Sequence, residues 1–216
     1  MTLNFIHGRP ACGKDTQVDM LTRTIPHSAK VSGVYRSAFT QKGQYAKYHE
    51  VVAPYIKPIG QGIDIPGKVV ADIFEGIILD NKKRGIDTLF ICGLPRTVDH
   101  KRAIDVFLET YHELNSKHIY LAAGENRSLL QATIRLKVDS KNGGGRIDDS
   151  VELMRARLAR YRKDTLPMLK EIEQEGKLNI IRADCSIEEI HSRLKELLLP
   201  QSISPESLSF NIQSRK

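Results

Sequence analysis

The residues that carry chemistry earliest in the chain lie in "HGRPACGKDTQ", His7 to Gln17. Gly8, Gly13 and Lys14 fit the phosphate-binding pattern GxxxxGK[ST], but Asp15 occupies the hydroxyl position and Thr16 follows one residue late. The strand-like run "LNFIH" precedes the stretch, and a helix is expected from about Lys14. The backbone N–H groups of such a turn, with the N-terminus of the helix after it, bind phosphate oxygens. A lysine at this place reaches the outer phosphates. The plainer alternative is a glycine-containing strand-to-helix turn with a chance lysine, and the flanking elements weigh against it.

Further cations stand at motif-like places. Arg36 follows "VSGVY", Arg96 lies in "CGLPRTVDH" (Cys92 to His100), and Arg146 and Arg157 lie in "GRIDDSVELMRARLARYRKDTLP" (Gly145 to Pro167). An isolated arginine is usually a solvated surface charge. Lys14, Arg36, Arg96, Arg146 and Arg157, however, come from five segments that would converge above the ends of the predicted strands. Moving a phosphoryl group between two nucleotides crowds phosphates together, and fixed positive charge and positioning do most of the catalysis. The planar fork of arginine suits this because it binds phosphate oxygens two at a time.

The variant GxPxxGKxT, matched by Gly8, Pro10, Gly13, Lys14 and Thr16, resembles the loop of the adenylate kinase family of nucleoside monophosphate kinases. "CGLPRTVDH" is similar to that family's DGFPRT…Q segment. The stretch from Gly145 to Pro167 resembles GRxDD…RxRLxxY…TxP, with Arg146, Asp148, Asp149, Arg157, Leu158, Tyr161, Thr165 and Pro167 in matching places. The three motifs occur in the family's order and cover the chain from Gly8 to about Leu194.

The resemblance implies a reversible transfer, ATP + NMP giving ADP + NDP, with Mg²⁺ and with AMP as the first guess for the acceptor. ATP would lie on Gly8, Pro10, Ala11, Cys12, Gly13, Lys14, Asp15 and Thr16, with Lys14 on the transferred phosphate and Thr16 near the metal. Ser32, Arg36, Ile65, Gly93, Arg96 and His100, with Arg146 and Arg157, would form the acceptor site. Arg146 and Arg157, joined by Arg135 on the preceding helix, would close on the transferring group from a short lid. Asp149 suits the N-cap of the following helix.

The departures matter too. Cys92 stands where the family has an aspartate that holds metal-bound water, and Gly33 or Val34 replaces another. Asp15 has two readings: it holds a metal-bound water in their stead, or it repels phosphate. His100 falls at the family's base-reading glutamine, or is an ordinary residue of a helix N-terminus. A nucleotide-binding protein with degraded catalysis is therefore the leading alternative.

The elements that must position these residues are visible as periodicity. "LNFI", "TLFIC", "HIYLA" and "LNIIRA" read as buried strands, with a weaker one at Lys30 to Ser32. Helical patterns run from about Lys14 to Arg23, Val69 to Arg84, Asp99 to Asn115, Arg127 to Val138, Asp149 to Glu175 and Ile187 to Leu199. This alternation predicts a three-layer α/β P-loop domain with a parallel sheet, residues 1–199, whose ligands sit beyond the strand ends. An acceptor-binding insertion is expected at about 32–68, with Thr40 to Gly67 its mobile part. A short lid is expected at about 135–148, with Asp139 to Gly145 as its flexible loop, and a loose tail at 200–216.

The 216-residue chain has 40% hydrophobic and 27% charged residues, ordinary values for a globular domain. No apolar run is long enough to cross a bilayer, and secretion is not expected of a chain whose first residues read as a strand. Three cysteines without CxxC pairing argue against a disulfide framework or zinc site and fit a reducing cytoplasm. A net charge of +7 suits nucleic acid, an anionic membrane or a polyanionic small molecule, and 6% aromatics with dispersed Lys and Arg weaken the first. What the resemblance implies is a pair of small nucleotides, with no nucleic acid or membrane partner expected. A monomer is expected.

Overall fold

The computed structural model describes residues 1–60, 63–141 and 151–199. Five strands, β1 (Thr2–Gly8), β2 (Ser28–Val31), β3 (Thr88–Cys92), β4 (Asn115–Ala122) and β5 (Leu178–Arg182), form one sheet. Their order is β2-β3-β1-β4-β5, and every neighbouring pair is parallel. The chain crosses from β1 to one side and from β3 to the other, so a crevice opens where these two central strands end. Ile6 pairs with Cys92 at that edge, which brings the segments after both strands together.

Among the described residues ten α-helices accompany the sheet: α1 (Lys14–Thr24), α2 (Val34–Thr40), α3 (His49–Val52), α4 (Ile56–Gly60), α5 (Gly67–Lys83), α6 (Val98–Thr110), α7 (Glu125–Lys141), α8 (Val151–Arg160), α9 (Leu166–Gln174) and α10 (Ile187–Leu198). Alternation along the strands sends Leu3, Phe5, Leu89 and Ile91 to one face. There they meet Val70, Ile73, Phe74 and Ile77 of α5 and Ile104 and Phe107 of α6. The spacing within α5 is that of one helical face. Ile6, Phe90 and Leu121 face the other way, onto Val18 and Leu21 of α1 and Ile190 and Leu194 of α10. A side chain as fully buried as Phe74 contributes about 2 kcal/mol. The expected three-layer α/β arrangement is what the chain adopts. Among the described residues, no helix is long and apolar enough to cross a membrane.

Several boundaries differ from the periodic reading. The helix expected to reach Asn115 stops at Thr110, because a turn closed by the Leu114 N–H on the Tyr111 carbonyl (2.9 Å) buries Leu114 and feeds Asn115 into β4. The weak strand lies at Ser28–Val31, earlier than Lys30 to Ser32. The long helix after residue 150 is interrupted at Tyr161–Thr165 by one π turn. Pro167 follows directly at the start of α9; it has no N–H to donate, and a local change of hydrogen-bond register accommodates it.

Within the expected insertion, Tyr45, Val52 and Ile65 are buried in the main core. Asp139 to Lys141, expected in a loop, are the last residues of α7. The remainder of the expected lid, with Arg146 and Asp148, lies outside the described residues, as do the expected cap Asp149 and the tail from Pro200.

Candidate active site

The loop after β1 is shaped by a steric demand at Gly8, where φ is +150°. A Cβ there would stand 2.6 Å from Cys12 Sγ and 3.0 Å from the Leu121 carbonyl, so only glycine lets the loop pass β4 so closely. Ala11 (φ 61°) and Gly13 (φ 95°) then take left-handed conformations that turn the chain into α1. Lys14 reaches back across this turn, donating to the carbonyls of Gly8 and Arg9 at 2.8 Å each. Arg9 is tied in turn to the Ala123 carbonyl after β4 (2.6 Å), with its guanidinium over the Tyr161 ring. An ammonium held at a left-handed turn that opens into a helix N-terminus is a setting that suits an anion.

Asp15 forms an ion pair with Lys30 of β2 at 3.0 Å, and Lys30 also pairs with Asp19. Burial works to raise the Asp15 pKa, but the bond and charge of Lys30, the Ser32 hydroxyl and Lys14 together bring it below the usual carboxylate value. Asp15 is therefore ionised at neutral pH and paired with a cation that it shares with Asp19, which offsets part of any repulsion from phosphate. Cys92 lies close by and is buried; desolvation first, then the Asp15 charge, pushes its thiol up to about 12. A neutral thiol is no substitute for a carboxylate.

On the opposite wall, Gly33 (φ 64°) caps α2 and Gly93 (φ 82°) follows β3. An arginine folds over each: a Cβ on Gly33 would meet Arg36 at 3.7 Å, and one on Gly93 would meet Arg96 at 3.6 Å. Arg96 Nε donates to the Gly93 carbonyl (2.8 Å) and its guanidinium lies 4.8 Å from the centre of the buried Tyr35 ring. This leaves the end of the fork toward the crevice.

His100, expected to face an acceptor base, is 0% exposed. Its Nε2 lies 2.7 Å from the Ile65 carbonyl, which only a protonated nitrogen can satisfy, and Nδ1 accepts the Arg96 N–H at 3.3 Å. Burial lowers its pKa, while Asp64 and the Ile65 carbonyl pull it back upward. In this structure the imidazole therefore joins the insertion to the Arg96 turn, with both nitrogens engaged. Ile65, expected beside it, is also buried, so its carbonyl serves His100. The other reading of His100, as part of a helix N-terminus, describes its place: Thr97 caps α6 and accepts the His100 N–H at 3.1 Å.

The third wall comes from α8. Met154 and Leu158 are buried with Ala132 of α7, and Ala11 of the loop packs against them. The face that remains, with Arg157, Arg160, Tyr161 and Asp164 at helical spacing, lines the crevice. Together the walls enclose about 270 Å³. Lys14, Arg36, Arg96 and Arg157 all line it, with Gly8, Pro10, Ala11, Cys12, Gly13, Asp15, Ser32 and Gly93. Thr16 is exposed on α1 and is not among the lining residues. Arg146 lies outside the described residues; Arg135 is on α7, and its side chain lies outside them too.

Sequence reasoning missed Lys30, Asp64 and Arg160. The Arg157-to-Arg160 spacing signalled the last of these. Lys30 and Asp64 carry no motif; only the fold brings Asp64 to the cleft and Lys30 to the Asp15 that lines it.

A magnesium ion carried on nucleotide phosphates keeps much of its water and needs oxygen acceptors for that water. Among the described residues no three His, Cys, Asp or Glu side chains gather into a cage. The ionised Asp15 with the Ser32 hydroxyl beside it does fit such outer contacts, at the loop end of the cleft.

No family model matches the chain. Compared with curated proteins, it is similar to an adenylate kinase of Parabacteroides distasonis, 29% identical over 195 residues that make up 88% of this chain and 94% of that one. A uridylate kinase of Schizosaccharomyces pombe is 25% identical over 83% of this chain and 88% of its own length. A UMP-CMP kinase of Lentinula edodes is 23% identical over 90% and 84%. These relatives support the nucleoside monophosphate kinase family. The chain is a phosphotransferase. The relatives' names differ in the acceptor base, so likeness along the chain does not determine which base this phosphotransferase takes.

Proposed function

We propose that the protein transfers the terminal phosphoryl group of ATP reversibly to a nucleoside monophosphate, for which the family resemblance implies AMP first. One observation carries this reading: four cations from four distant segments, Lys14, Arg36, Arg96 and Arg157, line one cleft with a phosphate-type loop. The loop N–H groups and Lys14 hold the donor phosphates, and Arg36 and Arg96 hold the acceptor phosphate. An acceptor phosphate oxygen forms the new P–O bond as the bond to the bridging oxygen of ADP breaks, with that electron pair leaving on ADP. Arg157 stabilises charge on the group in flight. Arg135 and Arg146 join it in this reading, from the expected lid. Magnesium, when bound, supplies neutralising charge on the donor phosphates, with Asp15 and Ser32 on its waters. A monomer working on small nucleotides in the cytoplasm completes the reading.

A second reading, a binding protein without turnover, is favoured by Cys92 and by the engagement of Asp15 with Lys30. Chromatography of nucleotides after incubation with ATP, Mg²⁺ and each monophosphate separates the two. Diphosphate formation lost in Lys14→Ala supports the kinase. ATP binding with no product from any acceptor leaves the binding protein.

A further inference from the structure

The base-reading side chain expected from the motif, His100, is engaged elsewhere, yet one ionisable group of the same region does reach the cleft. Asp64 precedes Ile65 in the insertion and lines the cleft together with Arg36 and Arg96. Its side chain is 13% exposed. Oδ1 accepts the Ile65 N–H at 2.9 Å, which fixes the carboxylate locally. Its nearest ion-pair geometry among the described residues is 3.9 Å to His100 Nε2, a nitrogen already turned to the Ile65 carbonyl. A nearly buried carboxylate on a substrate cleft thus retains acceptor capacity that the described protein groups do not fill.

A carboxylate is acceptor-only, which makes it selective in a way an amide is not. Adenine and cytosine each place a donor next to a ring acceptor, and that ring nitrogen would face the carboxylate's lone pairs. Uracil offers one N–H between two carbonyls. Guanine alone presents two adjacent donors, N1–H and the N2 amino group, which a carboxylate takes side by side. In the kinase reading the acceptor phosphate lies on Arg36 and Arg96, and Asp64 borders the same cleft with them.

We infer that Asp64 reads the acceptor base and that the preferred acceptor is a guanine monophosphate. This rests on the kinase reading above and replaces AMP within it. A site built to satisfy specific donors discriminates strongly against bases that lack them, because its buried acceptor is then left unpaired.

The test is kcat/KM of the full chain for GMP, AMP, CMP, UMP and dGMP with ATP and Mg²⁺, in the wild type and in Asp64→Asn. GMP should lead the other bases by about 100-fold. Asp64→Asn keeps the oxygen that accepts the Ile65 N–H but presents a donor beside an acceptor, so the GMP-to-AMP ratio should fall at least about tenfold. Thermal unfolding of both proteins confirms that the variant folds. AMP, CMP or UMP leading in the wild type overturns the inference without any variant. So does an unchanged base ranking in Asp64→Asn, or a variant that loses only discrimination between GMP and dGMP, which would place Asp64 on the ribose. All three of those results leave the kinase standing. Absence of diphosphate from every acceptor overturns the kinase reading itself.

Discussion

On the loop wall of the cleft, residues 8 to 15 accomplish nearly everything within one turn of chain. Gly8 makes the close approach, Gly13 turns into α1, and Lys14 folds back on carbonyls five and six residues behind it. The facing wall, which the proposed function gives to the acceptor, is assembled from three separate places: α2 with Arg36, Asp64 and Ile65 just before α5, and the β3 turn and start of α6 with Arg96 and His100. Its members meet through long-range bonds, above all His100 to the Ile65 carbonyl, across 35 positions of chain. A wall built locally is preserved by a short motif. A wall built from distant pieces can exchange individual residues while keeping its shape, and there a family can change its substrate.

That contrast predicts different losses. Lys14→Ala should lower kcat/KM roughly 10³-fold, since one charge-bearing donor aimed at a transferring group is commonly worth that much. Arg96→Ala should cost about 10²-fold, chiefly as a higher KM for the monophosphate. Steady-state kinetics with each substrate varied separately reads the division. An Arg96→Ala enzyme whose loss fell on ATP instead would erase the distinction between the walls.

Gly8→Ala tests the local plan through stability. The added methyl must displace Cys12 Sγ or the Leu121 carbonyl, in a backbone conformation that alanine resists. The expected cost is about 3 kcal/mol, or roughly 6–12 °C in the midpoint of a thermal scan. A midpoint within 2 °C of the wild type, on the order of measurement scatter, would show that the loop can move away from β4.

On the distributed wall, His100→Ala removes the proton on Nε2 and strands the Ile65 carbonyl, costing about 2 kcal/mol. The acceptor KM should rise about tenfold while the KM for ATP stays as it was. His100→Gln, with a donor and an acceptor on one group, should recover part of both losses. Equal damage to both Michaelis constants would mean that the bond holds up the whole cleft and not one wall.

The same division governs what was legible in the sequence. The sheet, its parallel sense and the loop were readable, because buried strands and a glycine-bounded phosphate turn leave short-range patterns. Arg36, Arg96 and Arg157 were found through motif context, and the fold brings them to Lys14. Of the two readings of His100, the motif position could not show its bond to the Ile65 carbonyl, 35 residues back. Asp64 was missed for the same reason. The helix end at Thr110 and the π turn at Tyr161–Thr165 were illegible because burial of Leu114, and a proline's missing N–H, override helical periodicity.

Both walls nonetheless rest on buried neutral imidazoles. Beneath the loop, His7 Nε2 and His118 Nδ1 share a hydrogen bond of 2.9 Å, with His118 stacked on Phe5. One ring must accept in that bond, so the pair tolerates protonation poorly. Desolvation, followed by the charges of His118 and Lys14, holds the His7 pKa well below its usual value. Desolvation brings His118 to about 4; Lys101 and Lys177 add to the fall, and Asp105 and Glu175 oppose it. In the unfolded chain these groups return to about 6.5. Between that value and about 4 the unfolded state binds more protons, so stability is fully present at neutral pH and is lost as pH falls through this window. The His118 share should be about 1–2 kcal/mol after allowance for relaxation of the site. His118→Gln removes one titration while keeping a polar group near His7, and it should shrink the difference in denaturant midpoint between pH 7 and pH 5. His100→Gln should do the same more weakly, because Asp64 already offsets part of its desolvation. If His100→Gln flattened the acid limb more than His118→Gln, the locally built loop wall would be the less acid-sensitive of the two.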